Sequence, residues 1–312
     1  MKKKILNFID NYFRKKDLNL FYGDFLAGAG NKLEIFLLDL LKKEFYKIHL
    51  KYSRRKAFKK VALNSKLSRK EYDSYLNEFK ANGIVVIKSY FSQEAEEILK
   101  NYDYFFKKIE KDDKDYKRIF SLSIKEHLFQ SVLDSNILQM LCEYTGTQQY
   151  LRASPALNIT YPGFSDITSK NIGETKYKDG GFANFYHLDT PNLRQYHILL
   201  KDVGMDDPHM LFARKSKKKY FGLHYRIASE EYVNANYEIT HCIGPKGTVY
   251  VFDGGSGLHR MYATEKNYRM TMDIMFTPGN SILKDSCPIV NLGEMKFEGF
   301  DDLQKESLRY LK

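Results

Sequence analysis

Residues 248–257 read TVYVFDGGSG, and this stretch decides the fold because it joins a strand pattern to a glycine-rich turn. β-branched and aromatic residues fill its first half, and Asp253 then opens the turn. Three similar apolar runs lie in the same half of the chain, at residues 157–161, 196–200 and 270–276. Many short strands without intervening helices predict an antiparallel sandwich or jelly roll.

Helices are expected before this β region. Ser68 and Glu71 have capping-box spacing, and Gly83 supplies a stop after the apolar face that follows them. The run IVVI at 84–87 is typical of a buried strand, and residues 119–146 predict further helix. The expected class is therefore α+β, with N-terminal and flanking helices around a β core.

The first residues are basic and predict a separate segment. We expect residues 1–67 to form a basic helical N-terminal extension and residues 68–312 to form the main domain. Asp10 and Asn11 interrupt the apolar start where a signal peptide would continue, and no run approaches the roughly 20 residues of a membrane helix. These features predict a cytoplasmic protein.

The charge of the chain is compatible with several partners. The formal net charge is +11, and one basic cluster occupies residues 215–219. Such a cluster could meet a phosphate, a nucleotide or an acidic glycan, or be a solvated face. No nucleic-acid-binding module accompanies it. We expect a small-molecule, anionic substrate and no dedicated nucleic-acid binding, while the oligomeric state is not indicated.

Metal-ligating residues lie within the β region. In a strand, residues two apart point to the same side, so His187 and Asp189 in YHLD can face one metal. His259, after the glycine-rich turn, is the best third ligand. Two histidines and one carboxylate form the facial triad of non-haem iron, with neighbouring positions open, although zinc also accepts this set.

Arg269 adds a second requirement of the same chemistry. It lies ten residues beyond His259, and alternation places it on one face with Thr271 and Asp273. An inward arginine can hold a carboxylate bidentately. A co-substrate with two carboxylates needs one end at the metal and the other end held in this way.

Together these stretches resemble the phytanoyl-CoA dioxygenase family of the Fe(II)/2-oxoglutarate oxygenases, over about residues 70–280. FKANGIVVI at 79–87 resembles its helix-to-strand opening, FYHLD at 185–189 its metal motif, and LLKDVGM at 199–205 the next strand. GTVYVF at 247–252 with GLHR at 257–260 is similar to its glycine-led strand and distal histidine. Arg269 falls at the position of the family's 2-oxoglutarate-binding arginine.

This resemblance implies a double-stranded β-helix, jelly-roll or cupin-like, that binds Fe(II), 2-oxoglutarate and O2. It implies that 2-oxoglutarate is converted to succinate and CO2 while an unactivated C–H of a lipid-like, sugar-containing or other small metabolite is hydroxylated. It also implies that Asn158 and Thr160 contact the co-substrate. RKSK at 214–217 replaces the family's Pro-Gly-Ser-His stretch, so the resemblance leaves the substrate unnamed.

Other residues and other functions stay open at this point. Arg194 and Arg260 flank the motifs and could hold an acidic substrate. His197, His209 and His241 could contact a substrate or be satisfied inside the core. The alternatives to an oxygenase are an inactive binding or scaffold protein with the same fold, and a cupin-type metalloenzyme that is not an oxygenase.

Overall fold

The computed structural model describes residues 58–109, 117–119, 125–152, 155–160, 162, 185–189, 193–216, 227–262, 264, 267–278 and 296–309. Its helices are α1 (Arg69–Asn82), α2 (Ser92–Ile109), α3 (Glu126–Val132), α4 (Ser135–Thr145), α5 (Glu230–Asn236) and α6 (Asp302–Ser307). Most of the predicted N-terminal extension, residues 1–57, lies outside the described residues, and the predicted division at residue 67 stays a prediction.

Twelve strands occur among the described residues. They are β1 (Ile84–Ile87), β2 (Lys117–Ile119), β3 (Tyr150–Leu151), β4 (Ala156–Thr160), β5 (Tyr186–His187), β6 (Arg194–Leu199), β7 (His209–Ala213), β8 (Ile227–Ala228), β9 (Ile239–Cys242), β10 (Val249–Phe252), β11 (His259–Tyr262) and β12 (Arg269–Thr277). The order β1-β10-β6-β12-β4-β2, with β3 beside β12, makes a seven-stranded sheet, and β8-β5-β11-β7-β9 makes a five-stranded sheet. Neighbouring strands pair antiparallel in both sheets.

Helix α1 forms as its sequence predicts. Ser68 accepts a hydrogen bond from the Glu71 backbone, the Glu71 side chain accepts one from the Ser68 backbone, and Gly83 ends the helix in a left-handed conformation. The predicted helix at 119–146 is instead a strand followed by two helices. Asp134 breaks it, since its side chain accepts a hydrogen bond from the Ile137 backbone and caps α4.

Alternation along the strands separates the two faces of the larger sheet. Residues such as Tyr196, Val251 and Met272 point to one face and pack against α1, α2, α3 and α4 in the main core. The opposite face meets the smaller sheet, where Tyr250 and Phe252 pack against Phe212. The predicted α+β class with antiparallel sheets and flanking helices is confirmed, and α5 is a helix inserted within the β region where none was expected.

None of the described helices combines the length and the apolar character that crossing a lipid bilayer requires.

Candidate metal centre

Strand pairing brings the two histidines of the predicted triad together. His259, the first residue of β11, lies directly opposite His187 of β5 in the antiparallel ladder. Side chains opposite each other in such a ladder point to the same face, and the two imidazole rings have centroids 4.5 Å apart. Residues 72 positions apart in the sequence thus become neighbours.

Asp189 joins them from just beyond the strand. Strand β5 ends at His187, so the expected alternation does not place Asp189. Its backbone N–H instead donates to the carbonyl of Gly254, 2.8 Å away, in the turn before His259. Asp189 Oδ1 then lies 3.8 Å from His187 Nε2, and Oδ2 lies 3.3 Å from His259 Nε2.

Both histidines present the nitrogen that a metal needs. His187 Nδ1 lies 2.8 Å from the Phe185 carbonyl, and His259 Nδ1 lies 2.9 Å from the Gly257 carbonyl. A carbonyl oxygen only accepts, so each Nδ1 carries the proton and each neutral ring has a lone pair at Nε2. One ligand atom from each of His187, Asp189 and His259 lies within 4.8 Å of the others, and no second such group of three occurs in the described part of the chain.

The electrostatics of the centre favour a cation. Burial lowers the pKa of His259, but the charge and hydrogen bond of Asp189 and the Gly257 carbonyl together raise this pKa above its ordinary value. Without a metal, the Asp189 carboxylate attracts a proton to the facing imidazole of His259. A divalent cation bound by the same three atoms could replace that proton.

Two residues that were not predicted from the sequence, Gln195 and Gly254, position the carboxylate of Asp189. Gln195 donates from Nε2 to Asp189 Oδ2 at 2.5 Å. A Cβ on Gly254 would lie 2.5 Å from Asp189 Oδ2 and 2.6 Å from Gln195 Nε2, so any other residue would displace these side-chain ends. Alternation along β6 could have placed Gln195 inward, whereas its partner Asp189 follows only from the tertiary fold.

Arg269 lies on the facing sheet and is buried. Its guanidinium donates to the phenol oxygen of Tyr250 and lies 3.5 Å from Met261 Sδ. Burial raises the pKa of Tyr250, so the phenol keeps its proton. Since the phenol oxygen accepts from Arg269, its hydrogen can be donated to a ligand.

Thr160 and Asn158 share this inward face. Thr160 lies directly opposite Arg269 between β4 and β12, and Asn158 lies opposite Thr271. The Thr160 side chain is only 1% exposed, and its hydroxyl has no hydrogen-bond partner among the described residues. A buried hydroxyl without a partner is costly, which marks this position as one where a ligand atom would be stabilising.

Arg194 and Arg260, the two arginines that could hold an acidic substrate, both form ion pairs within the protein. Arg194 pairs with buried Asp253 at 3.1 Å, and Arg260 forms two hydrogen bonds with Glu230 of α5. His209 Nε2 lies 2.8 Å from His241 Nδ1, and neither residue belongs to the triad. In the basic cluster at 215–219, Lys215 and Ser216 are described and residues 217–219 lie outside the described residues.

Comparisons with known proteins identify the fold. No protein-family model matches the sequence, and no curated protein matches it. The crystal structure of EctD from S. alaskensis in its apoform is similar, with a TM-score of 0.50, 14% identity and coverage of 71% of this chain and 80% of that chain. This likeness shows a shared fold.

Two further crystal structures fall just below that similarity. EctD from S. alaskensis with 2-oxoglutarate and 5-hydroxyectoine has a TM-score of 0.48 at 13% identity, covering 71% of this chain and 79% of that chain. The epimerase SnoN in complex with Fe3+, alpha ketoglutarate and nogalamycin RO has a TM-score of 0.49 at 10% identity, covering 67% and 84%.

Proposed function

We propose that this chain is a dioxygenase that depends on Fe(II) and 2-oxoglutarate. In this proposal His187, Asp189 and His259 hold the iron, Arg269 holds the distal carboxylate of 2-oxoglutarate, and Thr160 and Asn158 line the co-substrate site. The observation that carries it is the cluster of His187, Asp189 and His259, with buried Arg269 in contact with Met261, two residues beyond His259. EctD, which shares the fold, has been solved with 2-oxoglutarate.

The ligand set suits iron. Two imidazole nitrogens and one carboxylate form a facial triad that leaves coordination positions for a co-substrate and O2. Bound there, Fe(II) would supply the redox chemistry that couples O2 to 2-oxoglutarate. The protein contributes the three ligand atoms, the carbonyls that fix both imidazole tautomers, and the low-exposure interior around them.

The spacing between the metal centre and Arg269 suits a five-carbon diacid. His259 and Met261 stand two residues apart on β11, and Met261 touches the Arg269 guanidinium. Two strand residues span about 6.6 Å. The terminal carbons of an extended five-carbon chain are about 5 Å apart, from bonds of about 1.5 Å. A dicarboxylate of that length could reach from the metal to Arg269.

The polar groups around Arg269 suit a carboxylate. Arg269 and the Tyr250 phenol can donate hydrogen bonds to an anion, and the unpartnered Thr160 hydroxyl can add a third. These three groups come from β12, β10 and β4 of one sheet, so the backbone fixes their relative positions. Such a preorganised cradle favours one end of the co-substrate over water.

We further propose a double-stranded β-helix and hydroxylase chemistry. Strands β4 to β7 alternate between the two sheets in chain order, and strands β9 to β12 do the same, as that architecture requires. The change between the two series falls in the smaller sheet, where β7 and β9 lie side by side. The reaction would insert one oxygen atom of O2 into an unactivated C–H and place the other in succinate, with CO2 released. The motif resemblance supports the phytanoyl-CoA dioxygenase family and an anionic or lipid-like small molecule as substrate.

The test is anaerobic titration of the purified protein with Fe(II) and then with 2-oxoglutarate. We expect the visible charge-transfer absorption of the chelate to appear only after both additions, and succinate to form once O2 is admitted. His187→Ala should abolish iron binding, and Arg269→Ala should keep iron but weaken 2-oxoglutarate binding.

Arg260→Ala is the matched control, because Arg260 is an arginine near the centre that pairs with Glu230 instead. It should bind 2-oxoglutarate like the wild type. Wild-type protein that shows no absorption band and releases no succinate would overturn the proposal. Turnover without O2 would instead favour a metalloenzyme of the cupin type.

A further inference from the structure

A chain of buried polar side chains runs away from the metal centre into the space between the sheets. Gln195 and His197 lie two residues apart on β6 and therefore share its inward face. Asp273 of β12 lies directly opposite His197 in the ladder. All three side chains are buried, where polar atoms are costly without hydrogen-bond partners.

The orientation of Gln195 is set by the metal ligand. Its Nε2 donates to Asp189 Oδ2, which turns its Oε1 toward His197. Gln195 Oε1 lies 3.4 Å from His197 Nε2. Since an amide oxygen only accepts, His197 carries a proton on Nε2.

The other ring nitrogen of His197 faces a second acceptor. Its Nδ1 lies 3.3 Å from Asp273 Oδ1, and the Thr271 hydroxyl donates to the same oxygen at 2.8 Å. A carboxylate oxygen beside a ring nitrogen favours a proton there as well. The ring also lies beside the aromatic side chains of Tyr250 and Phe252, with centroids 5.2 Å and 4.9 Å away. Two oxygens at opposite ring nitrogens favour the doubly protonated imidazolium.

We infer that His197 is a positioning residue, a buried imidazolium paired with Asp273 that orients Gln195 and through it the Asp189 carboxylate. The inference deepens the proposed function and rests on it for the identity of the metal. His197 does not touch the reacting atoms; it acts through the hydrogen bond between Gln195 and Asp189.

The affinity test uses full-length apoprotein and Fe(II) alone, measured anaerobically by calorimetry. H197Q keeps a polar side chain but removes the positive charge. Its dissociation constant for Fe(II) should rise about 10–100-fold, as for losses of other groups that orient metal ligands. H209Q is the matched control, because His209 is also buried but bonds to the Asp207 carbonyl and His241, outside this chain of residues. It should bind Fe(II) like the wild type.

The charge of His197 is measured on the wild-type protein. Nitrogen NMR of histidine-labelled wild-type apoprotein at neutral pH should show both ring nitrogens of His197 protonated. The signal is assigned by its absence from H197Q, or by its through-space contacts to the rings of Tyr250 and Phe252.

The outcomes distinguish a failure of the inference about His197 from a failure of the proposed function. Any of three results would overturn the inference: a neutral His197, H197Q with wild-type affinity for Fe(II), or H209Q as impaired as H197Q. Fe(II) binding by the wild-type protein would still support the proposed metal centre in each case. Wild-type protein that binds no Fe(II) would overturn the proposed function, and the inference with it. A cationic His197 with selective loss of affinity in H197Q would support both.

Discussion

Gly254 lies where the carboxylate of Asp189 and the amide of Gln195 meet, and these two groups leave no free space for a side chain there. A Cβ there would lie 2.5 Å from Asp189 Oδ2. Gly254→Ala should therefore displace the carboxylate and weaken Fe(II) binding by about 10–100-fold, the range for disturbed support of a metal ligand. Anaerobic Fe(II) calorimetry measures this loss.

Gly204→Ala controls for the general effect of replacing a glycine. The atom nearest to its added Cβ is Asp207 Oδ2 at 3.6 Å, an ordinary contact. This variant should bind Fe(II) like the wild type, and both variants should retain the folded circular dichroism spectrum. Equal Fe(II) affinity in the two variants would contradict the steric role of Gly254.

Replacing Thr160 with valine is expected to change the stability of the ligand-free protein and the affinity for 2-oxoglutarate in opposite directions. Valine has the same shape and lacks the buried hydroxyl, which has no partner among the described residues. Removing such a group relieves a desolvation cost of about 1–3 kcal/mol. Thr160→Val should leave the ligand-free protein as stable as the wild type or more so, by urea unfolding.

The same variant should bind 2-oxoglutarate more weakly, because the hydroxyl is then no longer available to the carboxylate held by Arg269. The loss in affinity should be about tenfold or more, because a hydrogen bond to a charged group contributes about 1.5–3 kcal/mol and about 1.4 kcal/mol corresponds to tenfold. A destabilised ligand-free protein with unchanged 2-oxoglutarate affinity would show that the hydroxyl has a structural role instead.

At the scale of elements, Glu94 joins three parts of the chain. It lies in the first turn of α2, forms an ion pair with Lys66 at 2.5 Å and accepts a hydrogen bond from Ser131 of α3. Burial raises the pKa of Glu94, but these hydrogen bonds and the charge of Lys66 lower it further, to below the ordinary value of 4.5. The contact therefore stabilises the fold above pH 4.5, and this contribution is lost as the pH falls through the lowered pKa.

Glu94→Gln should consequently lower the free energy of unfolding by about 1–2 kcal/mol at pH 7, the worth of a hydrogen-bonded charge. The difference from wild type should shrink as the pH falls below the pKa of the folded state. Urea unfolding over a series of pH values measures it. Glu96→Gln in the same helix is the control, since Glu96 is 74% exposed in its pair with Lys246 and should contribute little. A pH-independent difference for Glu94→Gln would contradict the assignment.

The elements predicted best are those with local causes. The capping box of Ser68 and Glu71 and the stop at Gly83 need only neighbouring residues, and both form in α1. The break at Asp134 was missed because a capping side chain competes with an apolar pattern that continues through it. Strand β12 follows its predicted alternation, which places Arg269, Thr271 and Asp273 on one face.

At the scale of the whole molecule, the centre depends on contacts that no local pattern contains. The ladder between β5 and β11 places His187 against His259, and the turn at Gly254 holds Asp189 after its strand has ended. Residue type and order predicted the three ligands, and these contacts bring them together. Gln195, Tyr250 and the pair of His197 with Asp273 were not predicted, because each acquires its role from a partner distant in sequence.

The proposed ligands would bind between the two sheets and contact both of them. The metal ligands belong to or adjoin the smaller sheet, and Arg269 and Thr160 belong to the larger one. Iron and 2-oxoglutarate bound together would therefore connect both sheets in the folded state and neither in the unfolded chain. Each ligand at 100 times its dissociation constant should add about 2.7 kcal/mol to the free energy of unfolding.

Two variants separate the stabilisation that depends on each sheet. Under anaerobic conditions, Arg269→Ala should keep the increment from Fe(II) and lose the one from 2-oxoglutarate, because only the contact with the larger sheet is removed. His187→Ala should lose both, since 2-oxoglutarate needs the metal for its other end. Thermal and urea unfolding with and without each ligand measure the increments. Stabilisation of His187→Ala by 2-oxoglutarate alone would place that ligand outside the space between the metal centre and Arg269.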